Sequence, residues 1–278
     1  MLCKIANVSK SGYYQFLARQ ESRQQKEEAD REDAEMIRVI CGKKIGVYGY
    51  RNATMALSNA GIRMNHKKVA RLMEQFDLQA RIRKANPYKK MFKKTEEHKT
   101  FENLLDRQFD QKVPEKVAGT DITYLPFRGR FIYFSAVKDF ADGEILAWRA
   151  SWHVDMLLVM HALDMLETRL GEEKLRGFLL HSDQGCHYTS PQYYQRLARC
   201  GMIQSMSRRG NCIDNASMES FFGHMKDELD ISGCVTFEEA ETIIADYIVH
   251  YNNERRQWEK KKMTPAAYRD HLFALATP

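Results

Sequence analysis

Two tight-turn signals, Arg128-Gly129-Arg130 and Asp142-Gly143, restrict this chain more than any other feature. Each stands between runs rich in β-branched and aromatic residues. They therefore predict a meander of three strands: Val117 to Phe127, Phe131 to Val137 and Glu144 to Ala150. After the meander the apolar period changes. Met156 to Leu170 predicts a helix with Leu157, Met160, Leu163, Leu166 and Leu170 on one side and Gly171 at its end. Gly177 to His181 reads as a short strand, Pro191 to Cys200 as a helix and Met202 to Met206 as a strand. A helix follows with Met218, Phe222, Met225 and Leu229 along one face. Hairpin strands followed by alternating helices and strands define an α/β domain with a mixed sheet.

The remainder reads as helical. Ser9 to Tyr14 offers a cap and a helix start, and Gln20 to Glu35 is a charged, exposed helix. Tyr48-Gly49-Tyr50-Arg51 leads into a short helix through Leu57, which Asn59-Ala60-Gly61 breaks. Asn65 caps a second helix with Val69, Leu72, Met73 and Phe76 inward and His66, Lys67, Lys68 and Arg71 on its other faces. Two short helices around a glycine turn, the second one basic, outline a small all-α helix-turn-helix-like module. Arg81 to Lys94 is a basic connector broken by Pro87, and Glu96 to Glu115 is loop with a short helix. Thr236 with Glu239 forms a capping box for a helix whose stripe is Ala240, Ile243, Ile244, Tyr247, Ile248 and Tyr251, and Thr264-Pro265 starts a last helix. The expected divisions are a helical segment 1–35, the basic module and linker 36–94, a connector 95–115, a catalytic core 116–235 and a helical extension 236–278.

Charge separates these parts. Residues 1–94 hold 21 Lys and Arg against 9 Asp and Glu, whereas the rest hold 22 against 28. A module this basic is a footprint for a polyanion, most simply DNA. No apolar run reaches membrane-spanning length, and Met1-Leu2-Cys3-Lys4 does not begin a secretory signal. The six cysteines form no Cys-x-x-Cys pair, so neither a zinc site nor a disulfide framework is expected and a reducing cytoplasm fits.

Three acids call for a chemical reason. Asp121 lies inside a strand, where Asp is disfavoured; Asp183 follows the end of another strand; Glu219 shares a helix face with Lys226, two turns on. Three carboxylates suit two Mg²⁺ ions, hard cations that prefer oxygen, in an in-line phosphoryl displacement. Other acids compete. Asp139 is the rival ligand, Asp142-Gly143 reads as a turn, Asp214 caps or precedes the Glu219 helix, and Glu228 points away from Lys226. His181 and His187 flank Asp183, and positioning of its loop is the simpler reading than a general base.

The segments Thr120-Asp121-Ile122-Thr123, His181-Ser182-Asp183-Gln184-Gly185 and Ser205 to Phe222 resemble the catalytic core of OrfB-type insertion-sequence transposases, relatives of retroviral integrases. The 35 residues between Asp183 and Glu219 match that family's Asp–Asp–35–Glu spacing, and Lys226 matches its basic residue seven beyond the Glu. The resemblance implies a ribonuclease H-like core with Asp121, Asp183 and Glu219 as catalytic and metal-binding residues. Two Mg²⁺ ions are implied as cofactor, with Mn²⁺ able to substitute. It also implies cleavage at the ends of a mobile element and joining of the 3′-hydroxyls to another phosphodiester. Lys226, Arg208, Arg209 and Asn211 are implied as DNA contacts beside the reaction, and His66, Lys67, Lys68 and Arg71 are the candidates in the basic module. Partners would be double-stranded DNA, further copies of the chain assembled on it, and an upstream-frame product, separate or fused. The setting would be the bacterial cytoplasm and its nucleoid.

The chain departs from the pattern in two places. Ala118-Gly119 stands where a Trp often precedes the first Asp, and Lys260 replaces a usual Leu. Two alternatives remain at this point: a DNA-binding regulator of transposition with an inactive core, and a plain nuclease of the same fold.

Overall fold

In the computed structural model, Arg128 and Gly129 both adopt positive φ, 45° and 76°. They close β1 (Val117–Phe127) onto β2 (Arg130–Asp139) as a two-residue turn with Phe127 opposite Arg130. Only backbones of this handedness match the twist of the paired strands, and glycine adopts them without steric cost. The second turn is longer: Gly143 (φ 82°) donates to Asp139 O and returns the chain into β3 (Ile145–Ser151). The structure describes residues 9–80, 99–208 and 212–276, which fall into two units, 1–82 and 83–278.

In the second unit the sheet order is β3-β2-β1-β4-β5. The meander is antiparallel, while β4 (Leu179–Ser182) runs parallel to β1 and β5 (Ile203–Met206) parallel to β4. Period-two alternation divides β1 and β2 between two cores. Leu125, Phe127, Ile132, Phe134 and Ala136 face Met218, Phe221, Phe222 and Met225, together with Ile244 and Tyr247. Ala118, Val137, Ala147, Leu180 and Met206 face Leu163, Leu166, Leu170 and Leu197 on the other side.

The helices of this unit are α5 (Met156–Leu175), α6 (Pro191–Arg199), α7 (Ala216–Glu228), α8 (Phe237–Asn253) and α9 (Pro265–Ala276). Asp155 and Ser190 accept bonds from Leu158 N and Tyr193 N, and the Thr236/Glu239 box caps α8. Gly171 does interrupt α5 (φ 76°, ψ 158°), but the helix resumes to Leu175. The inward stripe of α5 is Leu158, Val159, Ala162, Leu163, Leu166 and Leu170; Leu157 is exposed. Ile243 of α8 is also exposed. The short helix expected before Glu115 is replaced, among residues 99–115, by turns with positive φ at Asp106, Arg107 and Glu115.

The first unit holds α1 (Lys10–Ala18), α2 (Gln20–Cys41), α3 (Tyr50–Asn59) and α4 (His66–Gln75). Ser9 and Asn65 cap α1 and α4 through their side chains. Ile37 and Cys41 of α2 pack with Ala53 and Leu57 of α3 and with Val69, Leu72 and Met73 of α4. One helix therefore runs across the expected 35/36 division, because Asp30, Ala34 and Ile37 are buried where the charge pattern suggests an exposed surface. The basic connector 81–94 lies outside the described residues.

Gly119 is where β1 meets the rest of the core most closely. A Cβ there would stand 2.5 Å from the Phe140 ring and 3.2 Å from Met218 Cγ. Gly119→Ala is expected to cost about 1–3 kcal/mol in urea unfolding, because a buried ring must move. An unchanged midpoint would refute this account.

Candidate active site

Parallel pairing sets the first two acids side by side. Gly119 of β1 is in register with His181 of β4; Asp121 lies two residues farther along β1, and Asp183 one residue past the end of β4. Met218 packs against Gly119, so α7 begins over the same strand and brings Glu219 in its first turn. Asp121 and Asp183 are half-buried, whereas Glu219 is exposed.

The electrostatics reflect this approach. Burial, then the carboxylates of Asp183 and Glu219, push Asp121 up to about 7, against bonds from Ile122 N (2.7 Å) and Asn215 Nδ2 (2.9 Å) that favour its ionised form. Burial also raises Asp183, whose Oδ1 accepts from Gly185 N at 2.8 Å. A Cβ on residue 185 would stand 2.8 Å from that same oxygen, so the carboxylate lies against a bare backbone. All the donors here are oxygen and their charges repel, which fits a hard divalent cation. Among the described residues, however, no group of three or more His, Cys, Asp or Glu side chains stands in metal-holding geometry. The trio is close enough to interact electrostatically without forming a closed coordination shell.

Asn215 and a clamp behind it were not legible as site residues. Asp214 does not cap α7. It is buried and accepts from Arg107 Nε (2.8 Å), Asn103 Nδ2 (3.2 Å) and Arg208 N, Nε and Nη2 (3.0, 2.9 and 3.0 Å). The Arg208 bond, followed by the Arg107 bond, holds its carboxyl well below the usual range. Its carbonyl receives His181 Nε2 at 3.1 Å, while His181 Nδ1 meets Ser205 Oγ at 2.9 Å. Burial keeps this imidazole toward its neutral form, and it positions the loop. His187 likewise bonds the Val154 carbonyl at 3.1 Å.

The rival acids are engaged elsewhere. Asp139 is fully buried and accepts from Glu115 N and Ala141 N, both at 2.7 Å, as organiser of the second turn. Asp142 Oδ1 receives Glu144 N at 2.7 Å. Glu228 forms a buried pair with Arg255, Oε1 to Nη2 at 2.8 Å.

Of the basic candidates, Lys226 is half-buried with its ammonium 4.5 Å from the centre of the Tyr124 ring. Arg208 is about half exposed at the edge of the Asp214 clamp. Arg209 and Asn211 lie outside the described residues. In the first unit His66 and Lys67 are exposed at the start of α4, the His66 ring stacked on Tyr50. Lys68 pairs with Asp33, and Arg71 with both oxygens of Asp30 at 2.7 Å. These two cations brace α4 against α2, a role their sequence pattern did not indicate.

A five-stranded mixed sheet of order β3-β2-β1-β4-β5 with helices on both faces is the architecture of an integrase core. The family described as an integrase core domain matches residues 111–212, a second integrase core domain family matches 219–273, and an HTH-like domain family matches 27–86. A putative transposase InsK for the insertion sequence element IS150 of Escherichia coli (strain K12) is 35% identical over 82% of this chain and 79% of its own length. A transposase for the insertion sequence element IS904 of Lactococcus lactis subsp. lactis (strain IL1403) is 34% identical over 84% and 92%. Among solved structures, the cryoEM structure of a simian T-cell lymphotropic virus intasome in complex with a PP2A regulatory subunit has a similar fold: TM-score 0.50, 14% identity, covering 80% of this chain and 70% of that one. The chain belongs to the insertion-sequence transposases of the IS3 family. Among the described residues no helix is long and apolar enough to cross a membrane.

Two outcomes follow from the electrostatics. Between about pH 4 and 7 the folded chain binds a proton at Asp121 that the unfolded chain does not, so stability falls as pH rises through that window. In a chelator, Asp121→Asn is expected to be more stable than the parent at pH 8 by about 1–3 kcal/mol and equal to it at pH 4. Thermal melts at the two pH values check this, and a variant no more stable at pH 8 would contradict it. Asp214→Asn, which keeps the shape and removes the charge, is expected to cost about 1–3 kcal/mol in urea.

Proposed function

We propose that this protein is a divalent-metal-dependent DNA transposase that cuts the ends of a mobile element and joins the resulting 3′-hydroxyls to DNA. The observation carrying this reading is the lifted Asp121 carboxyl. Burial and the carboxylates of Asp183, in the loop after β4, and Glu219, on α7, raise the proton affinity of Asp121 on β1, an arrangement costly to the fold unless cations neutralise it. Membership in the transposase family supports the reading independently.

Asp121, Asp183 and Glu219 would hold two Mg²⁺ ions, or Mn²⁺ in their place. When bound, the ions supply activation of the attacking hydroxyl and stabilisation of the leaving oxygen in an in-line displacement. The chain's own groups set the stage for that step. Asn215 Nδ2 and Gly185 N orient one oxygen each of Asp121 and Asp183, leaving the other lone pairs for cations. Lys226 and Arg208, with Arg209 and Asn211, would hold DNA phosphates beside the acids. His66, Lys67, Lys68 and Arg71 would contribute to duplex binding by the basic module, the last two through the part of each side chain left exposed by its ion pair. Joining two element ends calls for more than one copy on double-stranded DNA, with an upstream-frame product as a further partner.

Asp183→Asn is expected to bind an element-end duplex within about twofold of the parent and to join no ends in Mg²⁺. Strand transfer retained by that variant would sink the proposal. Cleavage by the parent without any joined product would leave a plain nuclease.

A further inference from the structure

Beyond Thr120 the β4-side edge of β1 has no partner strand among the described residues, because β4 pairs with β1 only through Gly119 while β2 follows β1 to its end. Tyr124 stands on that open stretch and Phe131 beside it on β2, two large aromatic side chains that the fold does not bury. Tyr124 and Phe131 are each 47% exposed, and their rings meet edge to face at 5.1 Å. They share one face of the sheet: Tyr124 lies opposite Tyr133, and Phe131 follows two residues along β2. The Lys226 ammonium lies 4.5 Å from the Tyr124 ring centre, so α7 reaches across the strand edge at this point. Tyr124 is three residues past Asp121, about 10 Å along the strand and, by period-two alternation, on the other face of the sheet. The Lys226 contact brings its ring to the strand edge over which α7, the helix carrying Glu219, extends.

An exposed tyrosine–phenylalanine pair costs solvation unless something covers it. The surroundings favour a nucleic-acid component over an apolar protein surface. The patch is two rings wide, too small for a stable protein interface, and a cation flanks it. An unstacked base presents a π-face to the rings and carries a phosphate whose charge complements the ammonium beside them.

We propose that Tyr124, supported by Phe131 and flanked by Lys226, is a stacking platform for one unpaired base of the DNA strand next to the phosphate under attack. The ligand is a nucleobase of a frayed end. In an intact duplex base faces are stacked on one another, so the platform distinguishes an opened end from internal DNA. The proposal rests on the DNA-processing reading above and adds to it a residue that reads strand opening.

The test uses duplexes carrying 2-aminopurine at or near an element end, with Asp183→Asn as binding protein so that stacking is read without chemistry. The fluorescence of the reporter is expected to be quenched on binding when it lies at the end and to stay unchanged when it lies in the duplex interior. Tyr124→Ala in the same background should abolish the quenching, and Tyr124→Trp and Tyr124→Phe should keep it. Affinity for an internal duplex should change less than about twofold. In the active protein Tyr124→Ala should slow end processing about 5- to 100-fold on paired ends. The loss should be largely relieved on ends supplied already unpaired, a rescue that a misfolded variant would not show.

Undiminished quenching in Tyr124→Ala overturns the platform. So does an equal loss of affinity for internal DNA, which would make the residue a general contact, or a change confined to oligomeric state, which would make it a protein contact. Tyrosine-dependent quenching by a parent protein that joins no ends would leave the platform standing and remove the reaction assigned to it.

Discussion

The parallel register of β1 and β4 is the constraint on which the rest of the site depends. Three paired positions, Val117 to Gly119 against Leu179 to His181, set where Asp121 and Asp183 fall. A slip of one residue would turn one of the two carboxylates to the opposite face of the sheet. The register is held by burial on both sides: Ala118 and Leu180 enter one core, and Gly119 lies under Phe140 and Met218. A pair of like charges half-buried this way is destabilising in the bare protein, in keeping with an Asp121 carboxyl that burial and the Asp183 carboxylate both raise. The hydrophobic cores on either face of the sheet must therefore over-determine a geometry that the acids themselves oppose.

A second layer transmits that geometry to the helix. The Asp214 side chain ties Arg107 and Asn103, in the segment before β1, to Arg208 at the end of β5, and its backbone carbonyl is bound to His181 on β4. The next residue, Asn215, donates to Asp121. The start of α7 is thereby fixed to β1, β4 and β5 by hydrogen bonds as well as by Met218 packing. Glu219, four residues beyond Asn215, remains exposed at the open side of an otherwise braced site.

What the sequence made legible was local or periodic. Turn chemistry at Arg128-Gly129 and Asp142-Gly143 placed the hairpins, since positive φ is demanded within two residues of the signal. The capping box of α8, the caps of α1 and α4 and the proline that starts α6 were readable for the same reason. The acids stood out through position and spacing. The clamp did not, because Arg107 and Asn103 are 107 and 111 residues from Asp214, and nothing in either segment marks the other. Arg71 hid its structural partner in the same way: nothing around this cation marks Asp30, 41 residues earlier, which its guanidinium binds. Leu157 erred by one position, within the tolerance of a helical stripe whose neighbours Leu158 and Val159 are equally apolar.

The two departures from the family pattern turn out to be mechanically connected. Lys260, in place of a leucine, extends its ammonium to the Ala141 carbonyl at 2.6 Å and lies 5.4 Å from the Tyr268 ring centre. That joins the C-terminal extension to the turn after β2, while Asp139 organises the same turn from within. Phe140, between them, places its ring over Gly119, where a larger residue would not fit. Lys138, beside it on β2, donates to the Ser217 carbonyl at 3.1 Å in the first turn of α7, and burial pushes its ammonium down to about 8. A residue bulkier than glycine before the first acid would displace Phe140, loosen the turn that Lys260 holds, and shift the strand that Lys138 ties to α7. The small residue at 119 and the lysine at 260 are therefore parts of one packing solution, which carries the position of the C-terminal helices to within two residues of Asp121.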